Sequence, residues 1–240
     1  MKHTTIRGYI RYTSKKPERL DQERGREFFT LTTQSDDVVV MNAHCEIDDA
    51  PNVIRDVMLT MHTDASPIDG SVRLSVGDKL EGSGWYRFGK DFAELEAINR
   101  EVGRTSERIE TNGPVRWLQA HPIVGDGLLM KLYDLSKGKG VQYFKDLMLT
   151  SPDHRGATGP MLFKLDSMGL EYIGDEEITV AAGTFNARHF SLASADGLEE
   201  EHPAYNIWVT ADDNYLLLKA GVAGYMQTHY ELETVEYFNT

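Results

Sequence analysis

Three stretches near the end of the chain decide its fold: E-I-T-V-A-A-G-T-F-N-A-R-H-F (177–190), Y-N-I-W-V-T-A-D-D-N-Y-L-L-L-K-A (205–220) and G-Y-M-Q-T-H-Y-E-L (224–232). They are rich in β-branched and aromatic residues, and loops with Gly, Asp and Asn separate them, which is typical of consecutive antiparallel strands. Residues 211–214 predict a turn, because Asp and Asn side chains hydrogen-bond their own backbone. The C-terminal quarter is therefore predicted to be antiparallel β-sheet.

A family resemblance lies in these strands. The runs Val180–Phe185, Trp208–Thr210 and Tyr230–Leu232 resemble an uncharacterised family of bacterial β-rich domains, distantly similar to the half-barrels of lipoprotein carriers. The resemblance implies a mainly β fold: a large curved antiparallel sheet that forms a barrel or half-barrel around a hydrophobic cavity, with few short helices. The family supplies no established catalytic residues.

Earlier in the chain, Val38–Ile47 and Val53–Thr63 predict a β-hairpin joined by D-D-A-P-N (48–52). Both arms carry strand-forming residues, and Pro and Asp suit the turn. If the two ends that flank the turn pair with each other, His44 lies opposite Asp56. A slip of one residue would move every side chain to the other face of the sheet, so the argument depends on this register.

The two faces of this hairpin differ in chemistry. One face is nearly pure core: Val39, Met41, Ala43, Cys45, Ile47, Val53, Arg55, Val57, Leu59 and Met61. The other mixes apolar and ionisable groups, as the wall of a cavity does: Val38, Val40, Asn42, His44, Asp56, Met58, Thr60 and His62. We expect the C-terminal strands to build a cavity wall and this mixed face to look towards them.

The rest of the chain predicts further strands. They span Ile6–Tyr12, Phe28–Thr33, Ser71–Val76, Gly82–Phe88 and Gly103–Glu110, with a helical turn in 18–24 and a strand or short helix in 92–100. The middle region, 117–166, is the least regular. Its segment S-P-D-H-R-G-A-T-G-P (151–160) has the composition of a lid or binding loop. No linker interrupts the pattern, so we interpret residues 1–240 as one β-barrel-like domain.

Composition excludes several functional classes. The formal net charge is −13 over 240 residues, which argues against unassisted nucleic-acid binding and disfavours docking on an anionic membrane. We find no secretory signal and no run long enough for a transmembrane helix, so we expect a cytoplasmic protein. The single cysteine, Cys45, excludes an intrachain disulfide. The oligomeric state stays open, a homodimer included.

Known cofactor and hydrolase motifs are missing from the sequence. There is no H-E-x-x-H, C-x-x-C, EF-hand loop, G-x-S-x-G elbow, G-x-G-x-x-G or phosphate loop. We therefore expect no nucleotide cofactor and no metal. A metal site assembled across strands from His44, His62 and Glu46 is geometrically possible, but the pattern is unspecific.

The first candidate for catalysis is His44 with Asp56, supported by Glu46 and His62. A carboxylate on one imidazole nitrogen fixes the tautomer and raises basicity, so the other nitrogen can act as a general base. The alternative is a solvated pair on the outer face of a hairpin, since such pairs commonly serve structure.

The second candidate is His121 with Asp126 in H-P-I-V-G-D-G (121–127). Pro and Gly favour a constrained loop that holds both side chains over a pocket mouth, where functional residues concentrate. The alternative is a turn in which the Asp accepts backbone N–H groups.

Ligand-binding candidates come mostly from the aromatic side chains, which can line an apolar pocket. They are Trp85, Tyr143, Trp208 and Tyr225, with Glu46, Arg87 and His229 as polar contacts. The alternative is that aromatic residues of this kind simply fill the core.

These features leave three hypotheses. The first is a cofactor-independent enzyme of the lyase, hydratase or isomerase type, in which a His–Asp pair moves a proton on a hydrophobic small molecule. The second is a non-catalytic carrier or sensor for a lipid-like ligand, which the family resemblance favours. The third is a structural scaffold, which predicts no cavity.

Overall fold

The computed structural model describes residues 3–198 and 202–239. Its first eight strands follow one another closely: β1 (His3–Ser14), β2 (Glu23–Gln34), β3 (Val38–Ile47), β4 (Val53–His62), β5 (Pro67–Val76), β6 (Lys79–Phe88), β7 (Phe92–Asn99) and β8 (Gly103–Glu110). The remaining strands are β9 (Trp117–Gln119), β10 (Gly140–Phe144), β11 (Leu147–Leu149), β12 (Phe163–Leu165), β13 (Ser167–Val180), β14 (Gly183–Asp196), β15 (Tyr205–Thr210), β16 (Leu217–Val222) and β17 (Thr228–Asn239).

Helical structure is short. One α-helix, α1, spans Ile123–Leu129, and 3-10 turns span Pro17–Arg19, Met130–Leu132 and Leu135–Lys137. No helix in residues 3–198 or 202–239 is both long and apolar enough to cross a membrane.

Fourteen strands form one large sheet in the order β10-β13-β14-β15-β16-β17-β1-β2-β3-β4-β5-β6-β7-β8, and β12, β11 and β9 form a small second sheet. Every neighbouring pair in the large sheet is antiparallel. The mainly β, antiparallel fold expected from the sequence is confirmed.

The large sheet curves around α1. Glu27 on β2 accepts hydrogen bonds from the backbone N–H groups of Ile123 and Val124 at the start of α1. Tyr205 on β15, which lies four strands away in the sheet order, donates to Asp126 on the same helix. A flat sheet could not reach one short helix from two such distant strands, so the sheet is bent with α1 on its inner face.

The sheet consists of two halves that meet at a seam between β1 and β17. Residues of β1 pair with residues of β17 from Thr4 opposite Asn239 to Ser14 opposite Thr228, with one bulge. On one side of the seam lie β1–β8, and on the other β10 and β13–β17. The seam therefore joins the two ends of the described chain.

The predicted hairpin register is confirmed. Ile47 pairs with Val53, and His44 pairs with Asp56. Strand side chains alternate between the faces of a sheet, and the face that carries Ala43 and Val57 is buried in the core. His44 and Asp56 consequently point to the outer face, away from α1. The expectation that the mixed face looks towards the C-terminal strands is wrong, because the opposite face of the hairpin is the one that packs in the core.

Other boundaries differ from the expectation. Residues 121–127, predicted as a loop, contain most of α1, and residues 92–99 form strand β7. Gly125 and Gly127 suggested a loop, but Gly127 allows α1 to approach β16: a Cβ there would lie 2.7 Å from the carbonyl oxygen of Tyr215. The helical turn predicted in 18–24 is the 3-10 turn Pro17–Arg19, and the stretch 177–190 belongs to two strands, β13 and β14.

Candidate functional site

A cavity of about 530 Å³ lies on the inner face of the sheet, and we call it the interior cavity. Its walls come from α1, the small second sheet, the loop 151–160 and the inner faces of β13–β17. Its apolar lining is Ile123, Leu129, Met130, Leu149, Phe163, Leu165, Met168, Leu170, Leu192, Ala195, Leu198, Ile207, Val222 and Met226. The scaffold hypothesis, which predicted no cavity, therefore does not fit.

The mouth of the interior cavity is marked by those lining residues that solvent reaches. Pro152, His154 and Thr158 of the loop 151–160 are exposed, and Tyr225 opposite them is 44% exposed. The rings of His154 and Tyr225 contact each other edge to face. The loop expected from its composition to be a lid or binding loop thus lies at the entrance.

Asp126 is the buried carboxyl group of the interior cavity. Tyr205 donates its hydroxyl to Oδ2 at 2.5 Å, and the side-chain amide of Gln119 donates to Oδ1. Burial raises the pKa of Asp126 to about 7, and these two donors only partly oppose the rise. Asp126 therefore changes its charge close to neutral pH.

His121 lines the same cavity, and in the described part of the chain its side chain is hydrogen-bonded to Ser151 and not to Asp126. Its Nε2 lies 3.0 Å from the carbonyl oxygen of Ser151, and its backbone is left-handed, with φ of 71°. Desolvation of the ring, with the positive charge of Arg55, lowers the pKa of His121 to about 3. The imidazole is neutral at physiological pH and donates from Nε2 to Ser151. The predicted His121–Asp126 pair shares a cavity, not a hydrogen bond.

Glu27, on the inner face of β2, holds α1 in place. Its carboxylate accepts hydrogen bonds from the backbone N–H groups of Ile123 and Val124. It also accepts one from the hydroxyl of Tyr12, at 2.7 Å. Burial raises the pKa of Glu27, and the hydrogen bonds oppose this rise. Since Asp126 is on the same helix, Glu27 fixes the position of the cavity's carboxyl group.

A second hollow, the outer groove, occupies the opposite face of β1–β8 and has a volume of about 1030 Å³. Its exposed apolar residues are Phe28, Met58, Trp85 and Ile98. Its charged residues are largely paired, as in the ion pair of Arg104 with Glu96 at 3.2 Å. His44 and Asp56 line this groove.

His44 is held between two carboxylates. Its Nδ1 lies 2.6 Å from Oδ1 of Asp56, and its Nε2 lies 3.2 Å from Oε1 of Glu46. The hydrogen bond to Asp56 contributes most to a raised pKa of His44. Both hydrogen bonds form when the imidazole is protonated on both nitrogens. In that state neither nitrogen can accept a further proton from a substrate. Glu46 also binds Arg26, which lowers the pKa of Glu46. The catalytic role of this cluster stays a prediction.

Four predicted ligand-binding residues lie outside the interior cavity. Trp85 lines the outer groove, and Arg87 pairs with Glu94. Tyr143 is 68% exposed on the edge strand β10. Trp208 donates its indole N–H to Oε1 of Glu176 at 2.6 Å.

Three further predicted residues lie apart from one another. His62 is exposed at the end of β4. Tyr225 is at the mouth of the interior cavity. His229, on β17, has a buried Nε2 with no hydrogen-bond partner among the described residues, and burial lowers its pKa. Of the aromatic and imidazole candidates for ligand binding, only Tyr225 reaches the cavity.

The proposed cross-strand metal site does not form from the residues that the structure describes. Within 3–198 and 202–239, no three His, Cys, Asp or Glu side chains are arranged to hold a metal ion.

Comparison with known proteins identifies the fold. A crystal structure of a β-barrel-like protein of the domain of unknown function DUF1849, from Brucella abortus, superimposes with a TM-score of 0.60 and 8% identity, over 99% of this chain and 98% of that chain. The similarity shows a shared fold alone. The expected resemblance to uncharacterised bacterial β-rich domains is confirmed at this level. No protein-family model and no curated protein matches the sequence.

Two other solved structures are more distant. A candidate exported protein with a YmcC-like fold from Bacteroides fragilis gives a TM-score of 0.33 at 10% identity, over 98% of this chain and 95% of that chain. A candidate lipoprotein from Parabacteroides distasonis gives 0.29 at 8% identity, over 97% and 94%.

Sequence reasoning missed the polar partners within the sheet's interior. Glu27 and Arg55 are buried, yet Glu27 was not considered and Arg55 was counted with the core face. A lone charged residue in a row of apolar strand positions is the available signal, because buried charges are rare unless they are paired. Nothing in the local sequence links Tyr205 to its partner Asp126, because the two lie 79 residues apart.

Proposed function

We propose that the protein binds a lipid-like small molecule in the interior cavity without transforming it. The observation that carries this proposal is the cavity itself, which has a volume of about 530 Å³, mostly apolar walls and a buried carboxyl group, Asp126, that is hydrogen-bonded to Tyr205 and Gln119. Small-molecule sites are typically cavities of about 300–1,000 Å³ with apolar walls and few polar groups.

The interior cavity suits an apolar ligand better than the outer groove does. A tightly bound ligand loses most of its surface to the protein, roughly 70–90% for drug-sized molecules. The outer groove lies on a solvent-facing sheet surface, where Trp85 is 44% exposed and Ile98 is 64% exposed. A ligand there would keep one side in water, so less apolar area would be buried.

A filled cavity tests this proposal. Ala195 lines the cavity, and Ala195→Trp would place an indole inside it; Ala193 on the same strand is exposed, so Ala193→Trp is the matched control. We expect Ala195→Trp to weaken binding of the apolar fluorophore N-phenyl-1-naphthylamine about tenfold or more, a change of about 1.4 kcal/mol. Ala193→Trp should bind like the wild type. Thermal melts establish that both variants fold.

Two outcomes would count against the interior cavity. One is equal probe affinity in Ala195→Trp and wild type. The other is loss of probe binding in Met58→Trp, a substitution in the outer groove, with Ala195→Trp unaffected. Organic extraction of the purified protein, followed by mass spectrometry, gives an independent check, since a lipid-like ligand should co-purify.

A proton-transfer enzyme is the second candidate. The observation that favours it is that buried Asp126, which has a pKa of about 7, accepts a hydrogen bond from Tyr205 in a mostly apolar cavity. Acid–base catalysts work best with a pKa near the working pH. Such an enzyme should exchange a C–H of the co-purified ligand with solvent deuterium, and Asp126→Asn should bind the ligand but lose exchange. Equal exchange in both proteins would exclude Asp126 as the base.

A further inference from the structure

A third hollow, of about 300 Å³, adjoins the interior cavity near its mouth, and we call it the basic pocket. Six residues line both spaces: His121, Ile123, His154, Tyr225, Met226 and Tyr230. A ligand that enters the interior cavity past Tyr225 and His154 therefore also borders the basic pocket.

Positive charge is concentrated in the basic pocket, although the chain as a whole carries a formal net charge of −13. The pocket is lined by Lys16, Arg19, Arg24, Arg55 and Arg155, with Asp49 as its one carboxylate among the described residues. Asp49 forms ion pairs with both Arg19 and Arg24. In the described part of the chain, Lys16, Arg55 and Arg155 form no ion pair, so the pocket keeps an excess of positive charge.

Arg55 carries the strongest indication of a missing partner. It is only 2% exposed, and its Nη1 donates to the carbonyl oxygen of Arg155 at 2.9 Å. Its Nε is buried and finds no acceptor among the residues that the structure describes. A buried guanidinium without a carboxylate is costly, because hydration is lost without an opposite charge to replace it. An anion in the basic pocket would supply that charge.

The interior cavity has the opposite character. None of its described lining residues is Lys or Arg, and two, Asp126 and Asp153, are acidic. Asp153 already accepts the backbone N–H groups of Arg155 and Ala157. A negatively charged group is therefore disfavoured inside the cavity and favoured in the pocket beside it.

We propose that the basic pocket binds the oxyanion head group, carboxylate or phosphate, of an amphiphile whose apolar chain occupies the interior cavity. This inference rests on the proposed ligand-binding function and adds the ligand's class and orientation to it. The guanidinium groups of Arg55 and Arg155 and the ammonium of Lys16 recognise the head group through charge-assisted hydrogen bonds. The chain then extends past Tyr225 towards the apolar walls.

Isothermal titration calorimetry below the micelle-forming concentration tests the inference. The ligands are dodecyl phosphate, dodecanoate, the neutral 1-dodecanol and inorganic phosphate. We expect both anionic amphiphiles to bind more tightly than the alcohol, and their binding to weaken with added salt, which screens partly exposed charges. Whichever of the two anionic amphiphiles binds more tightly identifies the preferred head group.

Variants separate the head-group site from the cavity. Lys16→Gln and Arg155→Gln remove a charge that lines the pocket, whereas Lys15→Gln removes the neighbouring lysine, which pairs with Asp21 outside it. We expect each pocket variant to bind the anionic amphiphiles about tenfold more weakly than the wild type does, which is the effect of losing one charge-assisted hydrogen bond. The affinity for 1-dodecanol should not change, and Lys15→Gln should match the wild type.

The possible results have distinct meanings. Equal binding of the alcohol and the anions, or unchanged anion affinity in the pocket variants, would overturn the head-group site and leave the proposed function intact. No binding of any amphiphile would overturn both. Binding of inorganic phosphate alone, weakened in Lys16→Gln, would make the pocket an isolated anion site and would also overturn its role towards an amphiphile.

Discussion

The outer groove and the interior cavity lie on opposite faces of the same sheet and treat ionisable groups in opposite ways. In the groove, His44 lies between Asp56 and Glu46, and Glu46 is also paired with Arg26. In the cavity, the hydrogen bonds that Asp126 receives from the described residues come from the neutral groups of Tyr205 and Gln119. In the groove these charged groups are paired with opposite charges, whereas in the cavity burial favours the uncharged form of Asp126.

This difference follows from access to water. Solvent screens charges on the outer face, so ion pairs there cost little to form and contribute little to stability. On the inner face, the charged form of Asp126 loses its hydration, which raises its pKa to about 7. A short distance, such as the one between His44 and Asp56, therefore does not show that a hydrogen bond contributes strongly to the free energy of unfolding. The following variants test this contrast, from the largest expected effect to the smallest.

The largest difference in the free energy of unfolding is expected between two glutamate replacements, one on each face of the sheet. Glu27→Ala removes the acceptor of two backbone N–H groups of α1 and of the Tyr12 hydroxyl. We expect the free energy of unfolding to fall on the order of 3 to 5 kcal/mol, because buried donors are left unsatisfied. Glu46→Ala on the outer face should cost about 1 kcal/mol or less. Urea unfolding measures both. Similar losses for the two variants would show that the faces do not differ in this way.

The second test uses pH. Asp126 has a raised pKa in the folded protein, so between its unfolded value of about 4 and its folded value of about 7 the folded state binds the extra proton. This contribution to stability is fully present at low pH and declines as the pH rises to about 7. Asp126→Asn should remove the decline, which is on the order of 4 kcal/mol for about three pKa units at about 1.4 kcal/mol each.

Urea unfolding between pH 4 and pH 8 measures the difference between wild type and Asp126→Asn. His121 contributes a slope of opposite sign, since its folded pKa is lowered to about 3. That slope is present in both proteins and cancels in the comparison. A difference that does not vary with pH would mean that Asp126 titrates normally.

The third test removes one neutral donor. Tyr205→Phe keeps the ring in the cavity wall but deletes the hydroxyl that donates to Asp126. Loss of a buried hydrogen bond should cost about 1 to 2 kcal/mol at neutral pH. The pKa of Asp126 should rise further, because this donor opposes the effect of burial. Carbon-13 NMR of the labelled Asp126 carboxyl group follows the titration, and Tyr143→Phe on the exposed edge strand should leave it unchanged.

The smallest effect is expected for the pair in the outer groove. A double-mutant cycle of His44→Ala and Asp56→Ala should give a coupling energy below about 1 kcal/mol, since both side chains are exposed. The folded pKa of His44 is raised, so this coupling is present below the unfolded pKa of about 6.5 and is lost as the pH rises through the folded value. Chemical unfolding at pH 5.5 and pH 9 detects the change. A coupling of several kcal/mol would indicate a more specialised role.

The sequence predicted those features that depend on local pattern. The β3–β4 register followed from matching two arms around a turn, because strand side chains alternate between faces with a period of two. Helix α1 was missed because Gly125 and Gly127 reduce helix propensity and imitate a loop. Gly127 is needed only because β16 lies against it, and that contact is not visible in the local sequence.

The interior site was only partly predictable for the same reason. Asp126 was found as a candidate, but its partner Tyr205 is 79 residues away. Arg55 was placed on the correct face, yet its contact with the carbonyl oxygen of Arg155 spans 100 residues. Spacing arguments work within a hairpin or a helix and carry no information over such separations.

The seam between β1 and β17 also sets an order of events in folding. Neighbours within each half are mostly joined by short turns and can pair early, whereas Thr4 and Asn239 are separated by nearly the whole chain. Helix α1 is held by Glu27 from one half and Tyr205 from the other. Because α1 lines the interior cavity and Glu27 anchors it from the other half, we expect the cavity to reach its final form only after the seam has closed. The ability to hold a ligand would then be the last property that the folding chain acquires.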